Sequence, residues 1–447
     1  MTEELLPLRE RIRAFSKAPV PSTVADKDGD EQDIAGWAGM LRAARHGKLI
    51  VFAAGNENNY NVPMHSATLP YLFPDVVSRY LIVANLTPDD VLHVTSTSCG
   101  HTASYCVSAP GTDIYSTAGN FISWTGGPIT EAALNRGELV EEPDYREETG
   151  TSMAAPHVTG AAAVLMQRFP YMTAEQISTV LKTTASDLGA PGIDNRFGWG
   201  KINLKEAIDG PGMFITAADI PPEHYVPGSY TNTQFVVNIP GVGGALDAGT
   251  PLERQCSGPE CALDIWRNDI SGHGGFTKEG AGTLVMTGSN TYAGPTQVNQ
   301  GRLTINGSVT SDVSVQGEGI IGGSGTLGSL SVHRGGTVAP GSRYVVEVGT
   351  DGQSDKLQSH GAAMSGDGEV AVTLENHNNL LTQKEVFALH GQQYTILNAQ
   401  QGVSGCFDTV MPNYLFLGVG LGYQWDKVLL NVGRNNTSFA SVAQIPN

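Results

Sequence analysis

The chain lacks several features that would place it in common functional classes. Its 447 residues hold only 26 Lys and Arg against 44 Asp and Glu, a formal net charge of −18. This argues against nucleic acid or an anionic membrane surface as a partner. No segment approaches the ~18 consecutive apolar residues of a transmembrane helix. The opening MTEELLPLRERIRAF alternates charge with Leu, so it has no apolar core of the kind a signal peptide needs. Aromatic residues are few, at 7%, whereas Gly reaches 55 and gathers in the second half. The two halves are therefore expected to differ in architecture. There is no Cys-x-x-Cys motif among the five cysteines. Cys99 with Cys106, and Cys256 with Cys261, form two close pairs that read as small disulfide loops of an oxidising compartment. Five reduced thiols are the alternative, and Cys406 is left over either way.

What is present reads first as an α/β domain. The segment DIAGWAGMLRAARHGK has helical apolar spacing and basic residues at its C-terminal end, where the helix dipole favours them. LIVFAAGN and YLIVANL are continuous apolar runs of strand length, as buried parallel strands are. CVSAPGTDIYST follows. The run Met153 to Phe169, stopped by Pro170, reads as a buried helix, and TAEQISTVLKTTASDL as a second helix opened by a Thr173–Gln176 capping box. This pattern implies a parallel sheet with function at the carboxyl ends of its strands.

One stretch points to chemistry. GTSMAAPHVTG puts Ser152 at the mouth of the apolar helix, where unpaired amides and the positive end of the helix dipole favour developing negative charge. That is a fitting place for a nucleophile. Its own amide supplies one oxyanion donor, and the side chain of Asn56, at the end of VFAAGN, supplies a second. Gly150, Thr151, Met153 and Gly55 are the immediate neighbours of these two groups. Ala154 stands where an α/β-hydrolase elbow needs a second Gly, which argues against a lipase. DKDGDEQD from Asp26 has the Asp spacing of a calcium loop but Glu31 and Trp37 at its sixth and twelfth positions, and reads as a solvated acidic loop. No cofactor is called for, and a structural calcium ion stays open.

The motifs GTSMAAP (Gly150–Pro156), VFAAGN (Val51–Asn56), APGTDIYST (Ala109–Thr117) and GWGKINLKEA together resemble the subtilisin-like serine proteases. The resemblance covers roughly residues 35 to 208. It implies that Ser152 is the nucleophile and Asn56 the oxyanion side chain of an endopeptidase acting on protein or peptide substrates. The family order Asp, His, Asn, Ser is broken, because no Asp or His motif precedes Asn56. His46, at a helix-to-strand turn, reads as a surface residue. His157, five residues beyond Ser152, lies about 140° around the helix and faces elsewhere. The expectation is a chain truncated at its N-terminus, which would account for the missing Asp, His and signal peptide together, and nearly inactive alone.

Past Trp266 the chain becomes a series of short alternating strands cornered by Gly, Asn or Ser, as a stacked β-solenoid requires, with a β-sandwich as the alternative. GGFTKEGAGTLVMTGSNTYAGPTQVNQGRLTING and the closing RNNTSFASVAQIPN resemble passenger domains of Gram-negative autotransporters. That resemblance implies a right-handed parallel β-helix stem, a secreted or cell-surface location and an outer-membrane barrel beyond Asn447. The expected domains are a partial subtilisin-like peptidase over 1–208, a linker or cover over 209–265, and a β-helix with pre-barrel segment over 266–447. A non-catalytic surface binding module with a degenerate protease cap is the rival reading.

Overall fold

The computed structural model describes residues 30–57, 65–119, 143–241, 263–333, 342–365, 368–374, 383–412 and 417–435. They divide into two compact units. The first draws on residues up to 162 together with 185–202 and 221–229, and the second on 163–184, 203–220 and the chain from 230 onward.

The first unit is built on a parallel sheet of three strands in the order β1 (Ile50–Ala53), β2 (Tyr80–Leu86), β3 (Cys106–Pro110). Ile50 lies opposite Tyr80, and Ile82 opposite Cys106. Every residue of β2 is buried, which is why YLIVANL reads as an unbroken apolar run: a central parallel strand is covered on both faces. β1 is an edge strand among the described residues, and each of its residues is half-buried.

Helix α1 (Asp30–Arg45) leads into β1 and carries Arg42 and Arg45 in its last turn. The second half of the expected acidic loop, from Asp30, is instead the start of this helix. Acidic residues are ordinary there, because the dipole at a helix N-terminus favours them. Asp26 itself lies outside the described residues. Arg45 donates to Asp75 (2.8 Å), and this cation holds the Asp75 carboxyl below the usual carboxylate range.

On its outer side β3 is closed by the GWGKI segment. Ser108 N donates to Gly200 O, Ile202 N to Ser108 O, and the Trp199 indole to Ser104 O. The Cys99–Cys106 disulfide forms, tying the 100–105 turn to the start of β3. Cys256 and Cys261 lie outside the described residues, and Cys406 is a free, exposed thiol.

Helix α2 (Thr151–Arg168) departs from expectation in its environment. Thr151, Ala154, Val158, Ala161, Ala162 and Leu165 are buried along one side, whereas Pro156, Gly160, Ala163, Val164 and Met166 are exposed. The expected wholly buried helix is therefore half-covered, because apolar composition on every face does not supply neighbours for every face. Helix α3 (Ala174–Thr183) has the anticipated capping box, with Thr173 and Gln176 bonded reciprocally.

The second unit contains two sheets of seven and twelve strands, largely parallel. In the larger, Phe276 sits opposite Thr296, Thr296 opposite Val313, Val313 opposite Leu330, and Leu330 opposite Ala362. In the smaller, Ser289, Ser308, Thr326 and Gln358 succeed one another in the same way. The smaller sheet ends in an antiparallel hairpin of Leu417–Gln424 and Lys427–Arg434.

The expected linker, 209–265, is partly built into this unit, since Gln234–Asn238 and Leu263–Trp266 are ladder strands. Phe214 and Phe235 stack with each other, and Phe214 also meets Phe276 and Tyr292. Strands this short give no legible periodicity, and their place is set by the neighbours on which they stack. Among the described residues no helix is long and apolar enough to cross a membrane.

Candidate active site

Parallel strands bring their carboxyl ends to one edge, and the chain uses that edge to seat the start of α2. Gly150 N donates to Gly111 O, just past β3 (2.8 Å). Gly111 has to lack a side chain: a Cβ there would stand 2.6 Å from Asn85 Oδ1, 2.7 Å from Gly150 O and 2.8 Å from Ala154 Cβ. The Gly of APGT thus permits the contact between strand end and helix start.

Asn56 follows the end of β1 and is held by that same helix start. Thr151 N donates to Asn56 Oδ1 (2.9 Å), as does the Thr151 hydroxyl (3.1 Å), which itself accepts from Gly55 N (3.2 Å). A backbone N–H can only donate, so the carboxamide orientation is set by chemistry: the oxygen faces Thr151 and Nδ2 remains as a donor. Nδ2 lies over Gly150, where an added Cβ would approach it to 3.2 Å. Ser152, next along the helix, is exposed, Thr151 is fully buried and Met153 half-buried. The Ser152 amide belongs to the first helical turn, whose N–H groups have no acceptor inside the helix. A donor side chain, a first-turn amide and an exposed hydroxyl are thereby tied to one helix start.

The structure brings Asn56, Gly55, Gly150 and Thr151 into direct contact, with Ser152 and Met153 following on the same turn. Thr151 is expected from the sequence only as a neighbour of Ser152, yet it locks Asn56 in place, and nothing near it in the chain signals a partner 95 residues away. One further residue shapes the site without being anticipated from the sequence. Asn85, fully buried near the end of β2, accepts from the Thr112 hydroxyl through Oδ1 (3.1 Å), while its Nδ2 has no hydrogen-bond partner among the described residues. Its signal was an amide side chain inside the otherwise apolar core of YLIVANL, which burial makes costly unless it is bonded.

No histidine among the described residues bonds to Ser152. His46 is exposed beyond α1, and His157 is exposed with Nδ1 at 2.9 Å from Met153 O, one turn back on its own helix. His93 pairs through Nδ1 with the Thr95 hydroxyl (2.9 Å). His101 lies on the 100–105 turn, where desolvation pulls its pKa down. Among the described residues no group of three or more His, Cys, Asp or Glu is placed to hold a metal ion.

A subtilase-family model matches residues 14–200, and a passenger-associated-transport-repeat model matches residues 276–305. An extracellular serine protease of Serratia marcescens is 55% identical over 425 residues, which is 91% of this chain and 41% of that protein. A second extracellular serine protease of the same organism is 50% identical over 442 residues, 94% of this chain and 42% of that protein. The autotransporter lipoprotein NalP of Neisseria meningitidis serogroup B is 28% identical over 330 residues, 70% of this chain and 25% of that protein. Among solved structures, fervidolysin from Fervidobacterium pennivorans is similar at 27% identity and a TM-score of 0.31, covering 45% of this chain and 27% of that one. The chain spans about two fifths of the length of the two Serratia relatives. Residues 14–200 thus match the subtilase family and residues 276–305 the passenger-associated transport repeat, in a chain similar along most of its length to extracellular serine proteases of Serratia marcescens.

Proposed function

We propose that this chain carries the nucleophile and oxyanion hole of a secreted or cell-surface serine endopeptidase. Ser152 Oγ attacks a peptide carbonyl, and Asn56 Nδ2 and Ser152 N receive the negative charge that develops on its oxygen. The observation that carries this reading is the pair of hydrogen bonds from Thr151 to Asn56 Oδ1, which holds the carboxamide with Nδ2 available to donate at the helix start that bears Ser152. Such a hole is preorganised, so no reorientation is required as charge develops. The chemistry needs no cofactor.

The general base and its orienting carboxylate come, in this reading, from polypeptide other than the described residues. Two surfaces support this. From Ser152 an exposed apolar stripe runs down α2 through Pro156, Gly160, Ala163 and Val164, and β1 is a half-buried edge among the described residues. Exposed apolar surface of this kind marks a place that another segment covers. The stacked parallel ladders of the second unit are read as rungs of a right-handed β-helix stem, each burying alternate aliphatics on the next. The extracellular and autotransporter relatives support export through an outer-membrane barrel partner.

The test separates the hole from the base. Phenylboronic acid added to the chain is expected to give a tetrahedral boron signal by 11B NMR that is absent in Ser152→Ala and needs about 10²–10³ more ligand in Asn56→Ala, the range for loss of one oxyanion donor. No tetrahedral signal from the unaltered chain refutes the nucleophile assignment. Peptide hydrolysis by residues 1–447 is expected to match that of Ser152→Ala, and Ser152-dependent turnover would overturn the assignment of the base.

A further inference from the structure

The hairpin that joins the strand ends to α2 carries a surface that oxyanion chemistry does not use. Its strands are β4 (Ile114–Gly119) and β5 (Pro143–Glu148), paired antiparallel. Both leave from the proposed site: Gly150 N is bonded to Gly111 O, and the Thr149 hydroxyl donates to Asp113 Oδ1 (3.2 Å) and accepts from Asp113 N (2.9 Å). Tyr115 is opposite Glu147, and Thr117 is opposite Tyr145. Alternation along each strand places Tyr115, Tyr145 and Glu147 on one face. The rings of Tyr115 and Tyr145 stack at 5.6 Å with an interplanar angle of 22°, yet the residues are 67% and 55% exposed. On the opposite face Arg146 pairs with Glu148 (2.6 Å), so Glu148 already has its cation. Glu147 is exposed and has no ion pair among the described residues.

We propose that Tyr115, Tyr145 and Glu147 form a recognition platform for a basic side chain of the peptide substrate, arginine above all. The proposal rests on the nucleophile reading of Ser152. A guanidinium is planar and always charged, so it stacks on an aromatic face while its N–H groups reach a carboxylate beside the ring. Glu147 is in the right place for that, directly across from Tyr115 and two residues from Tyr145 on the same face. Charge complementarity also favours a cationic occupant over an acidic one, since the chain as a whole is at −18. Glu147 and Ser152 are five positions apart, at most about 18 Å of extended chain, so the recognised residue falls within roughly five positions of the bond attacked.

The experiment measures binding, because it does not depend on a base. Fluorescein-labelled decapeptides, each bearing one arginine in a neutral background, are titrated against the chain by anisotropy alongside twins in which citrulline replaces the arginine. Citrulline keeps the shape and removes the charge. Arginine peptides are expected to bind about 5–10-fold tighter at one or two positions. Tyr115→Ala with Tyr145→Ala abolishes that difference, Tyr115→Phe with Tyr145→Phe keeps it, and Glu147→Gln reduces it about 2–3-fold. Equal affinity for the arginine and citrulline series, or a preference that survives in the double alanine variant, overturns the platform. The phenylboronic acid signal read in parallel reports Ser152 alone. A persisting signal with no arginine preference removes the platform and leaves the nucleophile, whereas loss of the signal in the unaltered chain removes the nucleophile reading whatever the peptides show.

Discussion

Asp264 offers the sharpest test of what holds the second unit together. It is fully buried and accepts three hydrogen bonds: from Arg168 Nη2 (2.7 Å), from Ile265 N (2.7 Å) and from the Tyr171 hydroxyl. The Trp266 indole in turn donates to the Tyr171 oxygen (3.1 Å). The Arg168 side chain is itself only 10% exposed. Replacing Asp264 by Asn keeps the shape, removes the charge, and leaves a guanidinium in a poorly solvated place without its counter-ion. Breaking a buried pair from one side costs about 3–5 kcal/mol, far above the ~1 kcal/mol of an exposed pair. The double variant Asp264→Leu with Arg168→Met removes both charges and both desolvation costs, so it should recover most of the loss. The assay is urea unfolding followed by Trp fluorescence, with Trp266→Phe used to identify the signal of this cluster. A loss below about 1 kcal/mol for Asp264→Asn, or a double variant no better than the single, would refute the reasoning.

Other sites carry their own expected outcomes. Lys182 is almost fully buried, and desolvation pulls its pKa from 10.5 to about 7. Between those two values the unfolded chain binds a proton that the folded chain does not. Stability should therefore rise with pH across that window, by up to about 1.4 kcal/mol per unit, with the penalty fully present below it. Lys182→Met removes its share of that rise, and urea midpoints at about pH 7 and about pH 9.5 check it. Gly111→Ala forces a Cβ against Gly150 O and Asn85 Oδ1. It is expected to weaken boronate binding at Ser152 while leaving the urea midpoint of the second unit in place. Replacing Cys99 and Cys106 with Ala opens a loop of sequence separation 7. It should cost about 2–3 kcal/mol by the chain-entropy argument, measured as a shift that dithiothreitol reproduces in the unaltered chain.

Some of this molecule is legible in one dimension because the physics is local. A central parallel strand has to be apolar along its length, so YLIVANL announces β2 with its bounds. The Thr173–Gln176 box announces α3, since a capping box is made by residues three apart. Ser152 at a helix start is legible for the same reason: its address is a property of the helix it begins. The pairing of Cys99 with Cys106 is likewise a contact within a short stretch of chain.

Other features arise only between segments far apart in the chain, and no local pattern encodes them. The orientation of Asn56 depends on Thr151, 95 residues away. Gln234–Asn238 becomes a strand because Gly275–Glu279 offers it a ladder, and Asp264 is tolerated in the interior because Arg168 and Tyr171 arrive to meet it. The half-covered state of α2 belongs here too, because its apolar residues surround the helix and only packing decides which of them are buried. Periodicity, caps and strand composition are carried by neighbours along the chain. Register, the setting of a donor and the fate of a buried charge are decided by groups that meet only after folding.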